Sequence, residues 1–223
     1  MIHYFHFNPI EKFVRDKTVC LVGGAPSILG ENLGETIDSY DVVIRVNCHW
    51  PMLRFSMNQR AHVICGHEIT KEYSLTQIGN RTDILFHGGF NKEGTVEEIE
   101  KLVDLKLVAL NSRFGKREWE GYNEKEVSLW CSQNNVDFKL LHTNIEGLPS
   151  PCTGFIAIDD LLKCQLKKLF ICGFDFFKKV DKKMLGSHTP DKEVLLFTEL
   201  FKTDKRIHVS DHVFDSLPKE LLI

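Results

Sequence analysis

The sequence predicts an α/β fold built on a single, mainly parallel, doubly wound sheet. Three observations carry this. Apolar runs of strand length recur, and most are continuous rather than alternating in hydrophobicity, as expected of strands covered on both faces. Segments with helical spacing lie between them, the alternation that builds parallel sheets. Residues 19–47 then read as a buried strand, a glycine-containing turn, a short helix and a second buried strand that ends on Arg45 and Asn47.

In chain order, strands are expected at 18–23, 42–46, 62–65, 83–87, 105–110, 138–142, 169–172 and 207–209. Helices are expected at 95–103, where Val96, Ile99 and Val103 share a face, and at 123–133, with Val127, Trp130 and Cys131. A longer apolar helix is expected at 153–166. Another, at 191–201, repeats Val194, Phe197 and Phe201, and a helix at 214–222 closes the chain. Two loops stand out. Residues 111–123 are polar and aromatic, with Arg113, Arg117, Trp119 and Tyr122. Residues 178–190 carry four lysines and then Gly186-Ser187-His188-Thr189-Pro190; they read as a lid loop or as a solvated lysine-rich surface. With 223 residues and neither an internal repeat nor a low-complexity tract, residues 1–223 read as one domain.

Composition narrows the function classes. Hydrophobic residues are 43% and charged residues 26%, which is ordinary globular usage. The formal charge of -3 lacks the basic surplus of a nucleic-acid binder. No apolar run approaches the ~18 residues of a membrane span. The aromatic start lacks a basic n-region and an apolar core, so no signal peptide is expected and a cytoplasmic location is. Seven scattered cysteines without a Cys-x-x-Cys argue against a zinc ribbon, a dithiol site or a disulfide framework.

The turn after the first strand is the first functional signal. A strand that runs into Gly23-Gly24-Ala25-Pro26-Ser27 brings backbone amides to the carboxyl edge of the sheet, where open α/β sheets bind ligands. Amides beside a helix start suit an anion such as phosphate. The dinucleotide pattern Gly-x-Gly-x-x-Gly is absent, which argues against a nicotinamide-dependent oxidoreductase. Ser27, Asn47 and Thr153 are candidate donors to such an anion. Arg45 is either a further one or a structural partner of Asp38 or Asp41. No Asp-x-Asp pair follows a strand. Asp159 and Asp160 read as a solvated helix face, and His62, His67 and His87 as ordinary loop or core histidines, so no metal ligands are assigned.

Residues 20–24 together with 34–47 resemble the large sialyl motif of glycosyltransferase family 29, the sialyltransferases. Residues 151–162 followed by 169–174 resemble the small motif, and His188-Thr-Pro-Asp-Lys-Glu193 resembles the very short motif, a His and a Glu separated by four residues. The three occur in the family's order. Residues 173–177 and the later Gly-Ser-His are also similar to the bacterial sialyltransferases of family 42. The resemblance implies a GT-A-like (Rossmann-like) sheet. It also implies metal-independent, inverting transfer of sialic acid from CMP-sialic acid to a glycan hydroxyl.

Carried over to this chain, Gly24, Ala25, Pro26, Ser27 and Asn47 would hold the CMP phosphate and ribose. Thr153 and Gly154 would meet the sialyl group. Gly173 and Phe174 would border the cytidine, with Asp175 also among the donor-binding residues, and His188 would be the general base. The chain departs from the family at one position of the turn, Gly24 or Ala25, where an Asn is usual, and has Phe177 near the place where family 42 has Tyr. It also lacks a clear His-Tyr-Tyr motif, and Cys164 is displaced from the position that bridges to the cysteine matching Cys20. Two other readings stand beside this one: a relative that uses another nucleotide-activated sugar, and a non-catalytic nucleotide- or glycan-binding protein.

The residues suit the chemistry. An imidazole with a pKa near neutrality can take the acceptor proton. His188 follows Gly186-Ser187 and precedes Pro190, a residue suited to the first turn of a helix. From spacing alone it is equally a surface-loop histidine. Glu193 is grouped with His188 as a candidate catalytic residue, where it either orients a neighbouring group or favours the helix dipole.

Overall fold

The structure, a computed structural model, describes residues 8–47, 79, 81–88, 96, 99, 100, 102, 105–111, 124–141, 145–176 and 189–222. These form a seven-stranded sheet from β1 (Thr18–Val22), β2 (Val42–Val46), β3 (Ile84–His87), β4 (Leu107–Asn111), β5 (Asp137–Leu141), β6 (Lys168–Cys172) and β7 (Ile207–Val209). The spatial order is β5-β4-β3-β2-β1-β6-β7, and every neighbouring pair is parallel. Seven of the expected strands are therefore present, and 62–65 lies outside the described residues.

Among the described residues the helices with defined bounds are α1 (Glu11–Val14), α2 (Gly34–Asp38), α3 (Glu124–Gln133), α4 (Thr153–Leu162), α5 (Pro190–Thr203) and α6 (Asp211–Ser216), with 3-10 turns at Pro26–Gly30 and Lys219–Leu221. Val96 and Ile99 are helical, as the spacing of 95–103 predicts. The end of the chain differs from expectation. Instead of one helix over 214–222, α6 stops before Pro218. Leu217 is extended there (φ -80, ψ 148), because a residue preceding proline is pushed out of the helical region.

Sheet alternation divides the core between two faces. Val19, Leu21, Ile44 and Ile171 point toward α4 and α5, where they meet Phe155, Ile158 and Phe197. Cys20, Val22, Val43 and Cys172 point the other way, onto Ile28 and Ile37. Farther along that second face, Leu85 and Val108 meet Ile99, Val127 and Cys131. Helices on both faces explain the unbroken apolar strands: β1, β2 and β4 have almost no side that meets water.

The order places a topological switch between β1 and β6. From β1 the chain winds outward to β5, then returns through α4 to β6 on the other side of β1. In open α/β sheets the ligand crevice lies outside the carboxyl ends of the strands at such a switch. The amino-terminal edge is closed instead by charge pairing. Buried Asp83 accepts from Val43 N (2.8 Å) and pairs with Arg81 (2.9 Å) and Lys106 (2.6 Å). Asp41 accepts from both the amide and the hydroxyl of Thr18.

Candidate functional site at the sheet switch point

The carboxyl ends of β1 and β6 meet backbone to backbone. Gly23 N donates to Cys172 O (2.8 Å) and Ala25 N donates to Gly173 O (2.9 Å). A Cβ on Gly23 would lie 2.3 Å from Gly173 O, and one on Gly173 would lie 2.6 Å from Gly23 O. Gly173 also has φ +71, a left-handed conformation that favours glycine. The two glycines are thus required by this close approach, whatever else binds beside them.

This seam corrects one expectation about the turn. Ala25 N is committed to Gly173 O, and Pro26 has no N–H, so the turn does not present a row of bare amides. Gly24 is exposed, and Ser27 Oγ is buried with no hydrogen-bond partner among the described residues. Polar capacity at the turn is therefore concentrated at Gly24 and Ser27.

Phe174 fills the space beside the seam. Cβ atoms placed on Gly23 and Gly154 would come within 2.7 and 2.5 Å of its ring, so both glycines make room for it. Phe176 follows with φ +49, strained for an aromatic residue, and is held by its ring against Phe197 (5.1 Å). Asp175 lies half-buried between these two phenylalanines.

Asn47 closes the next strand. It adopts φ +55, its amide donates to Phe86 O (2.7 Å), and its Oδ1 accepts from Gly88 N (2.8 Å). It therefore links the carboxyl ends of β2 and β3. Arg45 turns away from that edge. It is 2% exposed, and its Nε donates to Arg81 O and Thr82 Oγ1, both at 3.1 Å, on the segment that leads into β3. Burial lowers its pKa, against the opposing influence of Cys20, Cys172 and Asp38. The geometry thus supports a structural role for Arg45 over phosphate contact. Asp41, the other proposed partner, is engaged by Thr18.

Thr153 and Gly154 open α4, both buried, and Cys152 is the N-cap. Glu193, 1% exposed in the first turn of α5, reaches across to this cap. Its Oε1 accepts from Cys152 N (2.7 Å) and its Oε2 from Cys152 Sγ (2.9 Å), while the sulfur accepts from Phe155 N (3.3 Å). Burial, and then Glu193, hold the Cys152 thiol well above its ordinary pKa. Cys152 joins the candidate site only in the structure, and sequence reasoning missed it; its position just before Thr153-Gly154 was the available signal. His188, Phe177, the polar loop 112–123 and most of the expected lid 178–190 lie outside the described residues.

Other expectations meet a definite outcome. Asp160 is not simply solvated, because it pairs with Lys139 (2.6 Å) on β5. His87 is fully buried in β3, a core histidine. Cys20, Cys131, Cys152, Cys164 and Cys172 are all free thiols, so Cys20 and Cys164 are not bridged. Among the described residues, no group of three His, Cys, Asp or Glu side chains could hold a metal ion, and no helix is long and apolar enough to cross a membrane. A separate surface pocket of 550 Å³ lies beside Glu31, Phe170, Ser210 and His212. Its Glu31 carboxylate is already engaged by Ser210 Oγ and His212 N, so the pocket does not replace the switch point as the candidate site.

Against solved structures, the chain is similar to a mammalian sialyltransferase, with a TM-score of 0.53 and 15% identity over 87% of this chain and 69% of that one. The fold is sialyltransferase-like. A second mammalian sialyltransferase structure, in complex with Gal-beta-1-3GalNAc-ortho-nitrophenol, aligns with a TM-score of 0.49 and 15% identity over 90% of this chain and 71% of that one. No protein-family model and no curated protein matches the chain.

Proposed function

We propose that this chain is a sialyltransferase-like glycosyltransferase that moves sialic acid from CMP-sialic acid to a glycan hydroxyl, with inversion and without a required metal. The observation that carries the reading is the convergence of the β1 turn, the β6 glycine and the α4 amino terminus at the switch point of a sialyltransferase-like fold. The segments resembling the large and small motifs supply these three elements, and the one resembling the very short motif supplies Glu193, which reaches the α4 cap.

In this reading Gly24 and Ser27 offer the polar groups of the turn to the CMP phosphate, while Ala25, Pro26 and Asn47 line the phosphate and ribose. Thr153 and Gly154 meet the sialyl carboxylate at the positive end of α4. Gly173, Phe174 and Asp175 border the cytidine. His188 takes the acceptor proton while the acceptor oxygen bonds to the anomeric carbon and the bond from that carbon to the CMP phosphate breaks. Hydrogen-bond donors at the turn stabilise the departing phosphate.

The deciding experiment is a thermal-shift panel of CMP, CDP, UDP, GDP, AMP and NAD. A ligand that binds only the native state raises its midpoint by mass action. Selective stabilisation by CMP is expected. A preference for UDP or GDP would replace sialic acid as the transferred sugar, and no response to any nucleotide would refute the transferase reading. His188→Ala should retain the CMP shift and lose transfer by about 10²-fold or more; unchanged transfer would remove His188 as the base.

A further inference from the structure

We propose that Glu193 and Cys152 form a positioning pair that sets the first turn of α4 against the glycine seam. The inference rests on the donor-binding reading of Thr153 and Gly154. Three hydrogen bonds define the pair. Glu193 takes both the amide and the thiol of Cys152, and the Cys152 sulfur in turn takes Phe155 N. The carboxylate is thus joined to the α4 backbone directly through Oε1 and by a thiol relay through Oε2.

Several features mark this as more than ordinary capping. Cysteine is not among the residues preferred at an N-cap, where Ser, Thr, Asp and Asn are favoured. Here the thiol does two tasks at once, accepting from the helix and donating to Glu193. Glu193 does not fold back onto its own helix but crosses to an element 41 positions away. It is 1% exposed and both carboxylate oxygens are occupied by Cys152, which suits a fixed strut better than a group exchanging protons with substrate.

What the pair positions follows from packing. Cys152 is bonded to Thr153, and Gly154 makes room for the Phe174 ring, which in turn lies over Gly23. A shift of the α4 start therefore moves the contacts of Thr153, Gly154 and Phe174 together. Interiors are close-packed, so a small displacement at Cys152 is transmitted rather than absorbed. Glu193 acts on the donor site through Cys152 and is a positioning residue, not a catalytic one.

The test measures CMP affinity by calorimetry on the full chain, at a temperature well below the melting point of each variant, with the melting point recorded in parallel. Glu193→Gln keeps an acceptor for Cys152 N but turns the thiol's acceptor into a donor. It should weaken CMP binding about tenfold, the effect of leaving one buried polar group mismatched. Cys152→Ala should weaken it similarly. Cys152→Ser, whose hydroxyl can still donate to Glu193, should recover most of the affinity lost in Cys152→Ala. The double variant Glu193→Gln/Cys152→Ala should be no worse than either single change, because both remove the same interaction.

A second readout needs no nucleotide. Alkylation of Cys152 by iodoacetamide, mapped by peptide mass, should be faster in folded Glu193→Gln than in the parent chain. If the parent binds CMP and the variants change melting point but not affinity, the positioning role is overturned and a purely structural one replaces it. If alkylation of Cys152 is unchanged, the thiol–carboxylate contact itself is refuted. If the parent does not bind CMP, the donor-site reading fails and takes the positioning role with it, while the alkylation result still reports on the contact.

Discussion

Gly23 shows how a single missing methyl group shapes this molecule. The position has no room for a Cβ, since backbone rather than a movable side chain occupies the space on the β6 side. Gly23→Ala should therefore destabilise the fold by about 3 kcal/mol, near the upper range for overpacking a rigid site; a urea-unfolding midpoint within error of the parent would show that the β1–β6 seam is looser than described. Gly154 is different, because its close neighbour is the Phe174 ring, a side chain that can turn aside. Arg45 also teaches at this scale. On sequence it ends an apolar strand beside a presumed phosphate turn, yet its long side chain runs back toward Arg81 and Thr82. A strand residue's number locates its backbone; where a four-bond side chain puts its charge is decided by the acceptors within reach.

Among the elements, α4 is tied at both ends. Its start is held by the Cys152–Glu193 contacts, and its end is capped by Arg206, whose guanidinium donates to Leu162 O (2.9 Å) and Cys164 O (2.8 Å) while pairing with Asp204 (2.6 Å). A cation on the last carbonyls of a helix is favourable both as a hydrogen-bond donor and against the helix dipole. Arg206→Ala should cost about 1–2 kcal/mol, seen as a lowered denaturant midpoint with an unchanged slope. Hydrogen-exchange protection should fall first in the last turn of α4; a loss spread evenly over the sheet would contradict a local capping role. The helix boundaries carry a related lesson. The spacing of 153–166 extends beyond the observed Leu162, because residues 163–166 remain apolar in part but are packed as a turn into the core. Hydrophobic pattern records burial, and burial does not stop where a helix does.

For the molecule as a whole, charge and ligand capacity are separated by sheet edge. Asp83 with Arg81 and Lys106, and Asp41 with Thr18, lie at the amino-terminal edge, whereas the glycine seam, Ser27 and Thr153 lie at the carboxyl edge. Part of the pH dependence of stability follows from groups outside the site. Asp204 is lowered chiefly by its Arg206 hydrogen bond, and Asp41 chiefly by the Thr18 amide. Their stabilisation is present above the ordinary carboxylate pKa of 3.8 and is lost as pH falls through the lower folded values. At the other end, burial raises Cys131 to about 11 and Cys164 to about 12 from 9.0, so unfolded thiols ionise first and stability declines as pH rises from 9.0. Urea midpoints should thus be highest between about pH 7 and 8 and fall on both sides, the first loss on acidification coming from His208, whose pKa burial lowers from 6.5. Cys131→Ala with Cys164→Ser should make the alkaline decline shallower; an identical slope would assign it to other groups.

The amino-acid sequence by itself determined the layered α/β architecture, the positions of seven strands, the glycine turn after the first strand and the segments that gather at the switch point. These follow from local pattern: strands covered on both faces must be apolar throughout, and a chain that meets another backbone at Gly23 must lack a side chain there. Only the tertiary structure decided the strand order, the partnership of Gly23 with Gly173, the inward course of Arg45 and the grip of Glu193 on Cys152. Each of these joins residues distant in sequence, and hydrophobic period carries no information about which distant polar group a buried donor will find. Packing and the need to satisfy every buried hydrogen bond settle that choice only once the chain is folded.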